Sequence, residues 1–299
     1  MKLQTPVTDE NCRVGISYSD KIMMIGSCFS DNIGKQLKDL GFDVCVNPFG
    51  TLYNPVSILH SIERLLSGRS FEEQDCVQIG AGDERWCSFS HHTSFADASK
   101  DAFLEKVNLS LETAREHFMA ADKVIITLGT SWCFKHKEKD FIVSNCLKHN
   151  ASEFTRVRLS AAEVTASLRR ILELCSNTEE CKRKQFIFTV SPIRHFKDGA
   201  HGNQISKSTL LLGIEDFICD IADGLGSNSQ YMADYFPAYE IMMDELRDYR
   251  FYAEDMCHPS QQTVNYIRER FLDWALPKEE QDILKENIRT FRHGCHISH

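Results

Sequence analysis

The residue types able to attack or protonate a carbonyl group gather in a few short segments of this 299-residue chain. The first is Gly26-Ser27-Cys28-Phe29-Ser30, which follows the apolar run 21–25 and precedes Ile33, Leu37 and Leu40 at helical spacing. A serine leaving a strand and entering a helix sits on a tight turn with its hydroxyl clear of the backbone. The helix N-terminus then favours negative charge developing beside it. Ser27 is therefore a candidate nucleophile, although serine also caps helices for structural reasons alone. Cys28 is read as a buried packing residue, because neighbours on a tight turn point in different directions.

Near the other end of the chain, Asp255-Met256-Cys257-His258-Pro259 sets an aspartate three residues before a histidine. One turn lets such a carboxylate hold the imidazole, fix its tautomer and stabilise the imidazolium formed when His258 takes a proton from Ser27. Between these segments lies Asn47 to Pro55, where Gly50 can bring its N–H close to a developing oxyanion, as can that of Ser27. Gly129-Thr130-Ser131 offers small donors for the same purpose, and Arg194-His195 is a polar pair suited to binding substrate. His92, beside His91, is a further candidate for lining the pocket; no second cluster with ligand spacing joins it, so neither metal nor organic cofactor is expected.

The elements that must carry these residues follow from the apolar pattern. Short branched and aromatic runs at 21–25, 43–46, 123–128, 185–190 and 231–234 predict five strands. Segments 31–40, 56–66, 98–121, 161–175, 207–222 and 239–249 have helical period. Their alternation predicts a three-layer α/β/α sandwich around a five-stranded, mainly parallel sheet, and places each candidate just after a strand, where the loops of one sheet edge converge. Residues 1–276 read as one domain, with insertions near 68–96 and 132–150 set over that edge; 277–299 reads as a charged helix or tail.

Composition narrows the function. A net charge of −9 offers no broad footprint for nucleic acid, and Lys182-Arg183-Lys184 reads as a solvated turn before a strand. The twelve cysteines contain no Cys-x-x-Cys pair and lie mostly in apolar runs, Cys45 and Cys219 among them, which predicts reduced, buried thiols. Neither an apolar leader core nor a run near the roughly 18 residues of a membrane span is present. A cytoplasmic location without membrane contact is expected, although a chain whose leader had been removed reads the same.

Gly26-Ser27-Cys28-Phe29, with Asn47 to Pro55, Ser191 to Gly199 and Glu254 to Ser260, resembles the GSCFA family, itself similar to the SGNH or GDSL-like hydrolases. Ser30 stands where the family name has alanine. The resemblance implies a flavodoxin-like fold, Ser27 as nucleophile, Gly50 as oxyanion donor, His258 as base and acid, and Asp255 as its partner. One position departs: Ser131 stands where SGNH enzymes carry an asparagine donor. Loss of one such donor costs about 3 to 4 kcal/mol of transition-state stabilisation. The expected activity is hydrolysis of a small polar ester, such as an acylated carbohydrate; acyl transfer and carbohydrate binding with little catalysis are the alternatives.

Overall fold

The structure, a computed structural model, describes residues 5–8, 12–224 and 231–297. In chain order it runs β1 (Lys21–Gly26), α1 (Cys28–Asp39), β2 (Asp43–Val46), α2 (Pro55–Ser67), β3 (Val77–Gln78), β4 (Trp86–Cys87), α3 (Lys100–Ala120) and β5 (Lys123–Leu128). There follow β6 (Trp132–His136), β7 (Ile142–Val143), β8 (Phe154–Arg158), α4 (Ala161–Asn177), β9 (Gln185–Val190) and α5 (Gly199–Ala222). The chain closes with β10 (Ala233–Tyr235), α6 (Ala238–Glu240), α7 (Gln261–Ala275) and α8 (Gln281–Ile297).

Five strands form one sheet in the order β10-β9-β5-β1-β2, with every neighbouring pair parallel. Both faces are covered, which is why these strands read as continuous apolar runs. Met23 and Ile25 of β1 join Val124, Ile126 and Phe188 in one core, closed by Ile58 and Ile62 of α2, Phe103 of α3, Leu168 of α4 and Leu210 of α5. Ile22 and Met24 alternate into the other core with Ile125 and Ile187, closed by Ile33 and Leu37 of α1 and Val264 and Ile267 of α7. The result is an α/β/α sandwich with flavodoxin-like strand order. From β1 the chain passes to β2 on one side and later to β5 on the other, so a crevice opens at the carboxyl ends of β1 and β5.

Two antiparallel units interrupt this rhythm: the β3–β4 pair, and a three-stranded sheet ordered β7-β6-β8. They are tied together by the N–H of Ser144 donating to Phe89 O (2.8 Å) and that of Gly80 to Leu147 O (2.9 Å). Phe89 fills the space between them, edge-on to His136, Phe141, His149 and Phe154.

Several expectations shift. The helix expected over 207–222 begins at Gly199, which puts Ser206 and Lys207 on its buried face. The helix expected over 239–249 is one α-turn followed by a π-helix, Ile241–Leu246, which ends where Arg247 turns left-handed at φ 40°. Lys184 does not belong to a solvated turn: it is fully buried, and its Nζ donates to Phe118 O, Ala121 O (3.3 Å) and Lys182 O (3.2 Å). Its amino group answers carbonyls crowded at the C-terminal end of α3 and in the turn before β9, at the negative end of the helix dipole. Cys219 is exposed rather than buried, because it falls on the outer side of α5. Within 277–299, α8 docks through buried Leu284 and through Asn287 Nδ2, which donates to Leu40 O (2.9 Å). Among the described residues no helix is long and apolar enough to cross a membrane.

Candidate active site

The turn after β1 is shaped by Gly26, whose φ of 155° and closeness to β5 exclude a side chain: a Cβ there would stand 2.3 Å from Thr127 O. Ser27 follows as the N-cap of α1, its Oγ accepting the Phe29 N–H (3.3 Å) while its own N–H donates to Thr127 O (3.3 Å). An N-cap side chain folds back over the first helical turn, and Ser27 is accordingly 0% exposed. Cys28, the first residue of α1, is only partly buried. The expectation that Ser27 stands clear is thus overturned, whereas Cys28 packs against the core beneath α1, as expected, but is not fully buried.

Asn47 buttresses this turn from the end of β2. Its Oδ1 accepts the Gly26 N–H (2.8 Å) and its Nδ2 donates to Asp31 Oδ1 (2.5 Å), with Asn47 itself in the left-handed region at φ 43°. Burial pushes the Asp31 carboxyl up, opposed by the Asn47 bond and by His92. Gly50, at φ 78°, lets His92 approach: a Cβ at Gly50 would lie 2.4 Å from His92 Cβ, and the His92 N–H donates to Phe49 O (2.9 Å). His92 Nδ1 meets Ser94 Oγ at 3.0 Å.

Each amide considered as an oxyanion donor is already engaged. Ser27 N–H serves Thr127 O, Gly50 N–H serves Asn47 O (2.7 Å), Thr130 N–H serves Tyr53 O (2.9 Å), and Ser131 N–H serves Ser206 Oγ (2.8 Å). The hydroxyls of Thr130 and Ser131 lie 3.0 and 3.2 Å from the same Ser206 Oγ. By contrast, the Cys28 N–H has no backbone acceptor among the described residues, as the first N–H of a helix lacks an intrahelical one.

Lys207 underlies this edge. Fully buried, it donates from Nζ to Gly129 O (2.8 Å) and Ser191 O (2.7 Å), joining the loops after β5 and β9. Burial pushes its ammonium down to about 7. Sequence reasoning singled out neither Lys207 nor Asn47. The available signal for Lys207 was its place on the stripe Asn203, Ser206, Leu210, Ile214 and Phe217, the buried face of α5.

Beyond β9, the His195 N–H donates to Asn203 Oδ1 (2.9 Å) and its ring packs edge-on to Tyr53 at 6.3 Å. Burial, with the charges of Lys207 and His258, pushes His195 down to about 3, so the ring is neutral; its Nε2 is buried without a hydrogen-bond partner among the described residues. Arg194 ties this loop to the last segment through its N–H to Cys257 O (3.1 Å), and its guanidinium lies over Phe196, Tyr249 and Tyr252. That segment carries the Asp255 and His258 turn. Asp255 Oδ1 accepts the N–H groups of Cys257 and His258 (both 2.9 Å), and Oδ2 meets His258 Nδ1 at 2.5 Å. Those two amides, then the imidazole, pull the Asp255 carboxyl down to about 2. A carboxylate on Nδ1 selects the tautomer that leaves Nε2 as a base.

The structure thus gathers the β1–α1 turn, the Asn47 loop, Thr130, Ser131, Arg194, His195, Asp255 and His258 at one sheet edge. Among the described residues no hydrogen bond joins His258 to Ser27 or Cys28. A pocket of about 160 Å³ lies beside Tyr252, lined by Arg194, Met243, Arg247 and Tyr249. A larger cavity of about 600 Å³ lies elsewhere, between α2 and the second insertion, and includes none of these candidates. Among the described residues no group of three or more His, Cys, Asp and Glu side chains is arranged to hold a metal ion.

No curated protein matches the chain. A solved structure from Streptococcus pneumonia, described under the name platelet activating factor, aligns at 11% identity over 85% of this chain and 84% of its own, with a TM-score of 0.39. An acetyl xylan esterase from the rumen bacterium Butyrivibrio proteoclasticus aligns at 12% identity and TM-score 0.39 over 87% of this chain; the chain spans 64% of that protein's length. Both are too distant to transfer a reaction. The GSCFA profile, however, matches residues 21–271, from the first residue of β1 into α7 and across every segment of the candidate site, and the chain belongs to the GSCFA family.

Proposed function

We propose that this protein hydrolyses esters of small polar molecules by nucleophilic catalysis at the carboxyl edge of its sheet. The observation that carries the reading is the Asp255–His258 pair: a carboxylate held by two backbone N–H groups orients an imidazole whose second nitrogen has no hydrogen-bond partner among the described residues. A nucleophile from the β1–α1 turn, where the sequence offers Ser27, attacks the acyl carbonyl while His258 Nε2 takes its proton. Asp255 stabilises the imidazolium, which then protonates the leaving alcohol; water, deprotonated by the same imidazole, releases the acid. The oxyanion donor that best fits is the Cys28 N–H at the head of α1, where the helix dipole adds to it. Arg194, Arg247 and the tyrosines beside the 160 Å³ pocket suit a polar, hydrogen-bonding alcohol such as a sugar.

The test is turnover of an activated acetyl ester together with acylation of the protein, compared between wild type and His258→Ala. The reading requires both in the wild type and the loss of most turnover in the variant. Wild-type protein that binds sugars but shows neither turnover nor acylation overturns it in favour of a binding protein.

A further inference from the structure

We infer that the nucleophile is the Cys28 thiol rather than the Ser27 hydroxyl. This rests on the hydrolase reading above and specifies the atom that attacks. Ser27 is wholly enclosed, and its Oγ is spent on the Phe29 N–H that starts α1; turning it toward substrate breaks the cap. Cys28, one residue on, is rotated around the helix and partly open. Its thiol packs partly on the core beneath α1 and feels the charges of Asp31 of α1 and Lys207 of α5, while its own charge bears on Tyr53 of the loop after β2.

A second observation, independent of the cysteine, points to a ligand at the same sheet edge. His195 Nε2 is buried yet has no partner among the described residues, in a ring packed against Tyr53 and close enough to Lys207 and His258 to feel both charges. A buried polar atom left unbonded is costly, and a substrate oxygen or hydroxyl entering the crevice at this edge supplies the missing bond. The Cys28 N–H, which has no backbone acceptor among the described residues, lies next to the attacking sulfur, where an oxyanion forms.

The local field divides. Burial and Asp31 raise the thiol, while the N–H groups of Cys28 and Phe29 and the charge of Lys207 lower it. At rest the thiol is protonated, so attack needs a base. In the step proposed, His258 accepts the thiol proton as Sγ bonds to the carbonyl carbon. The carbon–oxygen ester bond then breaks, and the imidazolium proton goes to the departing alcohol. Water, losing a proton to His258, opens the thioester; the acid leaves and the thiol is restored. No oxidant or reductant is consumed.

The experiment is acid-quenched reaction of the wild-type protein with p-nitrophenyl acetate, followed by peptide mapping by mass spectrometry. The expected result is an acetyl group on Cys28, released by neutral hydroxylamine as a thioester is. Cys28→Ala should lose roughly three or more orders of magnitude of turnover. An acetyl group on Ser27, or full turnover by Cys28→Ala, overturns the thiol assignment and leaves the hydrolase reading standing. Absence of both adduct and turnover in the wild type overturns the hydrolase reading and this assignment with it. Should Cys28→Ala fail to fold, the mapped adduct of the wild type decides between the two residues.

Discussion

Asp255 grips His258 twice, taking the histidine's own backbone N–H on one carboxylate oxygen (2.9 Å) and its Nδ1 on the other (2.5 Å). The ring cannot rotate freely without losing the second contact. If His258 is the base, His258→Ala should lower kcat by roughly two to four orders of magnitude with little change in KM. Asp255→Asn keeps an oxygen for the backbone amides but reverses the donor at Nδ1, and should lower kcat without unfolding the turn. Steady-state kinetics on an activated ester checks both; unchanged kcat in His258→Ala removes it from the mechanism.

Ser27→Ala tests the capping role. The Phe29 N–H loses its side-chain acceptor inside a closed turn, so stability should fall by about 1 kcal/mol, and by less for Ser27→Gly. Urea unfolding monitored by circular dichroism measures the difference.

Gly26→Ala places a methyl group 2.3 Å from Thr127 O, across the β1–β5 pair. Backbone rather than a flexible side chain must give way, so the cost should be about 1 to 3 kcal/mol or more. A midpoint equal to that of the wild type contradicts the close approach of these strands.

Lys207 makes stability depend on pH. Its ammonium titrates near 7 in the folded chain against 10.5 as its ordinary value, so between the two the unfolded chain binds more protons. Stability should therefore rise as pH climbs from about 7 towards 10.5, and the contribution should be lost as pH falls through 7. The neutral amine still donates to Gly129 O and Ser191 O. Lys207→Met should flatten this slope and lower stability throughout, because both carbonyls lose their donor. Urea midpoints at about pH 7 and about pH 9 test both effects.

His91 contributes in the acid range. Its ring is buried against Phe49, Phe71, Phe95 and Phe103, with Nδ1 on Ser88 Oγ at 2.7 Å. Burial, with the charge of Arg64, pushes it down to about 3 from 6.5. The neutral ring's contribution is whole above 6.5 and is lost as pH falls through about 3. His91→Phe should make acid unfolding shallower in that window, as followed by tryptophan fluorescence.

Local order along the chain carried much of this fold. Runs such as Ile22 to Ile25 and Val124 to Leu128 are apolar on both sides, which only a doubly covered strand allows, and the helical stripes between them left little choice but a parallel sheet. The Asp255–His258 contact was legible for the same reason: its partners lie three positions apart, and a turn brings them together. Less was visible where partners are distant in sequence. The β10 strand lies two residues from its expected start, since its pairing with Phe186 to Phe188 sets its bounds.

The chemistry at the site turned on contacts no local pattern records. That Thr130 and Ser131 spend their amides on Tyr53 and Ser206 is a matter of segments meeting across the sheet edge. Lys207 reached that edge because α5 begins eight residues earlier than its apolar stripe suggested. Ser27 and Cys28 make the clearest case. Sequence places both at the strand–helix junction, and the choice between them depends on helix phase and on which side chain takes the cap. The packed turn encloses the serine and leaves the cysteine partly exposed, which is the difference the proposal rests on.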